Sequence, residues 1–252
     1  MNILRKFWRL DIYSHMIMML SILAVVGIFQ HEAGSTVPQL LISVSVAVTL
    51  NLVINYLKDK KIYYSKSATI SGLIVAMALP RGIIWYIPLC AAAIAIISKH
   101  IIKIGRKHIF NPANLGLLLG IIIFGKHLAW WASPWWLVVI LGLIISYKFR
   151  RLPLTLSFIA LQGIIFLVWA LIKEMDALSA LSFINFFFVF VMLVEPKTSP
   201  VKRKGRIIYG IIAAITSSIL IIFFLAGYPY DPFVTSLAFA NIFVPVLNSK
   251  MK

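Results

Sequence analysis

Ten long apolar runs, parted by short stretches that carry most of the charge, constrain this chain more than any single motif. The runs predict spans at 14–30, 37–57, 67–80, 83–101, 111–126, 133–148, 153–173, 177–194, 206–227 and 231–248. Of the 252 residues, 62% are hydrophobic and 12% charged, against about 45–50% apolar and about 25% charged in soluble domains. A spanning helix takes about 20 residues, which leaves no soluble domain of about 50 residues or more between the runs. Lipid admits only helices or closed barrels, and the runs lack the period-two alternation of barrel strands. The expected fold class is all-α: a polytopic membrane protein of about ten transmembrane helices, with residues 1–252 as a single transmembrane domain.

The charge pattern sets an expected orientation. Of the 24 lysines and arginines, 21 fall at the termini and in every second connecting segment. The alternate segments carry only Arg81, Lys126 and Lys173, together with the acids Glu32, Glu174, Asp176 and Asp231. Basic residues accumulate on the cytoplasmic side. Both termini are therefore expected in the cytoplasm, in a multi-pass protein of the cytoplasmic membrane. The same burst pattern argues against nucleic acid as the target of the net charge of +17. The first run follows Arg5, Lys6 and Arg9 as in a signal peptide, but its length reads as an uncleaved first helix. Cys90 is the sole cysteine, which excludes an internal disulfide, a Cys-ligated cluster or a structural Cys-type zinc site within one chain.

Two expected spans are short and bounded by proline or polar residues: Ser67 to Pro80, and the one opening at Phe110-Asn111-Pro112-Ala113-Asn114. Short, interrupted spans suggest broken helices in an inverted repeat. Ser179-Ala180, opening a run that ends at Glu195-Pro196, echoes Ser67-Ala68 and Leu79-Pro80, and Ala240-Asn241 echoes Ala113-Asn114. The expected repeats are 1–126 and 133–252, five helices each.

Asn111 can cap a helix whose first residue is Pro112, and a helix start inside a membrane offers free N–H donors and a positive dipole end. Such donors suit a flavin carbonyl, a carboxylate or water. A plain cap is the equally weighted alternative. Ser67, Thr69 and Ser71 can bond a ligand or the carbonyl four residues back, and Gly72 permits close approach of a helix or a flat ring. Glu195-Pro196-Lys197-Thr198-Ser199-Pro200 is a rigid turn, either a simple loop or the lip of a cofactor site. Gly116 and Gly120 have a helix-packing spacing. Trp130, Trp131, Trp135 and Trp136 read as interfacial belt residues. A lone Asn-Pro-Ala box counts against an aquaporin-like filter. Haem is disfavoured because His31 and His127 lie near one surface and His15, His100 and His108 near the other. No Asp, Glu, Lys or Arg stands mid-span, which argues against a carboxylate proton relay.

Five stretches in order carry a family resemblance: Ser67-Ala68 through Gly72 to Leu79-Pro80; Ile97-Ser98-Lys99-His100 followed by Phe110-Asn111-Pro112-Ala113; Glu195-Pro196-Lys197-Thr198-Ser199; Lys204-Gly205-Arg206-Ile207-Ile208-Tyr209-Gly210; and Gly227-Tyr228-Pro229 through Ala240-Asn241 to Val244-Pro245-Val246-Leu247. From about Ser67 to the C-terminus the chain resembles the NqrB/RnfD family. These are ten-helix membrane subunits of the sodium-pumping NADH:quinone oxidoreductase and the Rnf ferredoxin:NAD oxidoreductase. The resemblance implies flavin. Family members carry one FMN covalently on a Thr in an outward loop after the fifth helix. The corresponding loop here, about Gly125 to Ser133, has no Thr, so no covalent FMN is expected, and Ser182 is not assigned as a flavin carrier.

The resulting expectation is an RnfD/NqrB-like membrane subunit of an electron-transfer complex, reduced to its helical core and not a complete enzyme. It would hold a non-covalent flavin, riboflavin or FMN, at Ser67, Thr69, Ser71, Gly72, Phe110, Asn111, Asn114, Glu195, Thr198 and Asn241. Its partners would be other membrane redox subunits and a flavoprotein or iron–sulfur protein. The alternatives are a cofactor-free scaffold, or a small-solute or ion transporter with Asn185, Thr216 and Asn241 as the polar candidates along a path.

Overall fold

The computed structural model describes residues 8–105, 107–132, 134–224 and 230–250. Its helices are α1 (Ile12–Gln30), α2 (Ala33–Asp59), α3 (Lys66–Ala78), α4 (Tyr86–Ile101), α5 (Pro112–Phe124), α6 (Trp135–Lys148), α7 (Leu152–Lys173), α8 (Ala177–Leu181), α9 (Arg203–Phe224) and α10 (Pro232–Lys250). The protein is an all-α polytopic membrane protein. Five helices (α1, α2, α7, α9 and α10) are long and apolar enough to cross a bilayer unaided. The charges of Arg5, Lys6, Arg106 and Lys252 and the Gly227-Tyr228-Pro229 motif lie outside the described residues.

The remaining apolar helices are shorter. At 1.5 Å per residue, the 13 residues of α3 rise about 20 Å, less than the roughly 30 Å of a hydrocarbon core. The eighth span departs furthest from its expected form. A continuous helix over 177–194 is replaced by α8, a bend at Ser182–Asn185, and a π-helical turn at Phe188–Met192. Asn185 accepts from the Phe188 N–H at 3.0 Å and so starts the second piece. Phe188 then wedges between the rings of Phe158 and Phe233, at 5.5 and 5.2 Å between centroids. A small departure from all-helix also occurs: Lys103–Ile104 and Lys107–His108 form a two-rung antiparallel ribbon.

A helix that stops inside the bundle leaves carbonyls without partners. The end of α3 is closed from two directions. Gln39 of α2 donates to the Ala76 and Leu79 carbonyls at 2.7 and 3.3 Å. The 125–132 connection folds inward, placing the N–H groups of Ala129 and Trp130 on the Ala78 carbonyl and the Trp131 indole on that of Ala76. Trp131 is therefore 7% exposed and not a belt residue. Its indole serves the Ala76 carbonyl, which lies four residues before Pro80 and so has no helical N–H partner. Trp135 and Trp136, by contrast, are exposed.

Packing follows one order in both halves. In the first, α2 lies on α3 and α4, and α4 on α5; in the second, α7 lies on α8 and α9, and α9 on α10. Contacts of α1 with α6, and of α5 with α10, join the halves. Glycines set the closest approaches. A methyl on Gly116 would collide with the Ala91 carbonyl, and one on Gly210 with Ser157 Oγ and the Leu154 carbonyl. Gly116→Ala should cost about 1–3 kcal/mol through overpacking. Gly120→Ala meets only the Ala91 methyl, at 3.4 Å, and should unfold in detergent at nearly the parent temperature. Equal melting temperatures for the two variants would contradict this packing.

Candidate functional site

At the basic end of the bundle, segments remote in sequence meet around Asn111. This side chain is a cap: its oxygen accepts from the Asn114 N–H at 3.1 Å, with Pro112 as the first helical residue of α5. Its amide also donates to the Met192 carbonyl at 3.2 Å, which closes the π-helical turn. The orientation of the Asn241 amide that satisfies its neighbours has its oxygen accepting from the Asn111 N–H at 3.1 Å. Its nitrogen then donates to the Thr198 carbonyl, at 3.1 Å, and to the Tyr209 hydroxyl. Asn114 donates to the Val234 carbonyl at 2.9 Å. One buried network thus ties α5, the π-helical turn, the 195–200 turn, α9 and α10.

The turn itself is organised by Glu195. Its carboxylate accepts from Thr198 Oγ1 at 2.9 Å and faces His108 Nε2 at 3.4 Å, and its carbonyl accepts from Ser199. The buried Arg151, just ahead of α7, donates to Ser199 Oγ at 2.7 Å. Burial, aided by the charge of Arg206, pushes the Arg151 guanidinium down to about 10, so it remains a cation at neutral pH.

Between α1, α3, α5 and the π-helical turn lies a narrow pocket. Ser67, Ser71, Asn111 and Glu195 line it, with Tyr13 and Met16 of α1 and an apolar wall of Ile70, Ile74 and Val191. Ser71 Oγ is spent on the Ser67 carbonyl at 3.0 Å. Ser67 Oγ is buried and has no partner. The neighbouring end of α1 is held by Asp11, which pairs with Lys66 Nζ at 2.8 Å. That lysine, then the Ser14 hydroxyl, holds the Asp11 carboxyl at about 2. The pair's contribution is therefore complete above the ordinary carboxylate value near 3.8 and is lost as pH falls through about 2.

Of the ten residues expected at a flavin, four line this pocket, and Thr198 and Asn241 stand behind it in the hydrogen-bonded network. The other four lie elsewhere. Gly72 faces α2, where a methyl would come within 2.7 Å of Val44 Cα and 2.8 Å of the Ser43 carbonyl oxygen, so no ring can approach it there. Thr69 shares a 2.7 Å hydrogen bond with the exposed Tyr64. Asn114 points its amide to α10, and Phe110 is partly buried outside the pocket. Tyr13 and Met16 in the pocket, and Arg151 beside the 195–200 turn, are not among the expected residues. Nothing local marks them, because they reach the site from other helices. Gln39, Asn51 and Asn55 had a usable signal, being amides in an otherwise apolar run. The three transport candidates are each engaged locally: Asn185 caps a helix, Thr216 bonds back to the Ile212 carbonyl at 2.8 Å, and Asn241 is held in the network.

The pocket's chemistry suits the edge of a flavin, with one orphan hydroxyl beside an aliphatic wall. Its room does not. The free volume is about 20 Å³, whereas pockets for cofactor-sized ligands start at about 300 Å³. In this closed form the residues do not accommodate a flavin ring.

Fold and site together define a polytopic helical membrane subunit with broken helices closed by buried amides. The sequence model of the NQR2, RnfD, RnfE family matches residues 9–136, and the chain belongs to that family. It is thus a membrane subunit of a redox-type complex that works with other membrane subunits. The match takes in α1 to α5 and the inward-folded connection, including Ser67 and Asn111. A comparison with curated proteins gives no match.

The network predicts a rank order. Asn241→Leu leaves the Asn111 N–H and the Thr198 carbonyl unpaired in the interior, at about 1–3 kcal/mol for each group. Thr216→Val removes only a bond to its own helix. Unfolding in detergent should show a large drop in melting temperature for the first and a small one for the second. The reverse order would remove Asn241 from the network's centre.

Proposed function

We propose that the chain is the helical core of a membrane electron-transfer complex of the Rnf or Nqr type, with its basic end in the cytoplasm. A non-covalent flavin, riboflavin or FMN, would rest against Ser67, Ser71, Asn111 and Glu195 in the assembled complex. The carrying observation is that these four residues, spread over some 130 positions of sequence, line one pocket in which a buried hydroxyl has no partner. The small closed volume means that the α1 end near Tyr13 would have to move for a ring to enter. That end is held by polar contacts, such as Asp11–Lys66, that a partner subunit can replace. When bound, a flavin supplies one- and two-electron chemistry; these residues would only bind and orient it. Electron donor and acceptor would belong to a flavoprotein or iron–sulfur partner.

The two halves would form an inverted repeat of five spans each. Supporting this, α5 and α10 both open with a capped Asx-Pro pair, Asn111-Pro112 and Asp231-Pro232. Asp231 accepts from the Phe233 and Val234 N–H groups and from the Trp130 indole, much as Asn111 serves Asn114.

The test is flavin content in the chain purified with and without its membrane partners. Acid should release flavin from the assembled complex and leave none on the denatured protein. Ser67→Leu should lower that content at least severalfold without loss of helix content. Asn111→Leu should lower it too, but with a lower melting temperature, since it breaks a cap worth about 1 kcal/mol and orphans the Met192 carbonyl. Full flavin occupancy in Ser67→Leu would remove the pocket from the site. A flavin-free complex in flavin-supplemented preparations would leave the cofactor-free scaffold as the function.

A further inference from the structure

A second void lies at the same end of the bundle, beyond Glu195. It has a volume of about 280 Å³ and a mainly polar lining. Lysines approach it from four elements: Lys58 at the end of α2, Lys99 in the last turn of α4, Lys103 on the ribbon and Lys197 in the 195–200 turn. His100 and His108 add two rings, and Asp59 is the one carboxylate on the wall, engaged by the Tyr63 hydroxyl at 3.3 Å. Lys99 Nζ meets only neutral oxygens, Asn51 Oδ1 at 3.1 Å and Ser65 Oγ at 3.3 Å. Among the described residues, none of these four lysines forms an ion pair.

Asn51 supplies an independent sign. It is 1% exposed, and its oxygen is already taken by Lys99 and by His100 at 3.3 Å. That fixes the amide with its nitrogen as a donor, and this nitrogen has no partner. The wall therefore presents an excess of cations with few acceptors left over, and Asn51, one of its residues, keeps a buried nitrogen without a partner. Lysines in the last turns of α2 and α4 also suit the negative helix ends, and basic residues gather on one membrane side in any case. Neither effect accounts for four lysines converging on one half-open pocket in which the partly buried Lys99 meets only neutral oxygens. Four lysines with Asp59 as their one carboxylate leave a net positive charge around the void that attracts a further anion, and tetrahedral oxyanions accept several charge-assisted bonds at once.

We propose that this void is a binding site for a phosphate group, carried either by a soluble phosphate ester or by an anionic lipid headgroup at the membrane surface. The site stands apart from the flavin pocket and does not depend on it.

The test titrates inorganic phosphate into the full chain in uncharged detergent and chloride buffer, read by phosphorus NMR or calorimetry. One saturable equivalent is expected. Lys99→Gln should raise Kd at least tenfold. Asn51→Asp is nearly isosteric and places a built-in counter-anion beside Lys99, so it should do the same with the fold retained. Lys99→Arg should keep Kd within a few-fold, and Lys204→Gln, which removes an exposed charge elsewhere, should leave it unchanged. Repeating the titration in nanodiscs separates the sources. A higher apparent Kd in phosphatidylglycerol than in phosphatidylcholine, abolished by Lys99→Gln, identifies a lipid headgroup as the occupant. Equal Kd in both identifies a soluble ester. Equal weakening by Lys204→Gln and Lys99→Gln would reduce the effect to diffuse surface charge and overturn the site. Absence of saturable binding in detergent and in both lipids would overturn it as well.

Discussion

Every backbone N–H and C=O held in a bilayer must find a partner within the protein, and this structure is organised around the places where its helices fail to supply one. α3 stops after 13 residues and the eighth span breaks at 182–185. Gln39 and Trp131 from distant segments close the end of α3, Asn185 and local turn bonds close the break at 182–185, and Asn111 from α5 closes the end of the π-helical turn at Met192. These amides and the indole serve as both structural bonds and cross-links between helices. Their positions determine which helices can be neighbours. The Gly116 and Gly210 contacts then set how closely those neighbours approach.

The same economy shapes the candidate site. Asn111 is at once a cap, a closure for the eighth span and a wall of the pocket, so its functional and structural roles are not separable by a single substitution. Ser67 is different. Its hydroxyl is buried without a partner, and no element depends on it. It is the residue through which ligand binding can be probed with least disturbance. Around both lies a basic end in which the few carboxylates, Asp11, Asp59 and Glu195, are each committed to a local hydrogen bond. The lysines consequently outnumber their counterions, and the larger polar void collects that excess.

Much of this was legible in the sequence for identifiable reasons. Apolar run length marked the long spans to within a few residues, since hydrophobic thickness leaves little freedom. Asn111-Pro112 announced a helix start because cap and N1 proline are local chemistry. Ser67, Ser71, Asn111 and Glu195 were marked by polar residues at the edges of short spans. What stayed hidden depended on partners far along the chain. Gly72 could have faced a flat ring or a helix, and only the position of α2 decided for the helix. Trp130 and Trp131 sit in a run that looks interfacial, yet the inward fold of 125–132 takes them to the end of α3 and to Asp231.

The sequence by itself determined the solvent, the number and order of the apolar runs, the sorting of charge between alternate connections and the family motifs. Each of these follows from transfer energies and residue spacing along one dimension. Tertiary structure decided which runs break, how small the pocket between α1 and α3 is, and that Asn51, Lys99 and Lys197 share one void. Those outcomes depend on distances between helices, which are set by side-chain volumes and by the obligation to pair buried polar groups across segments that the linear order does not connect.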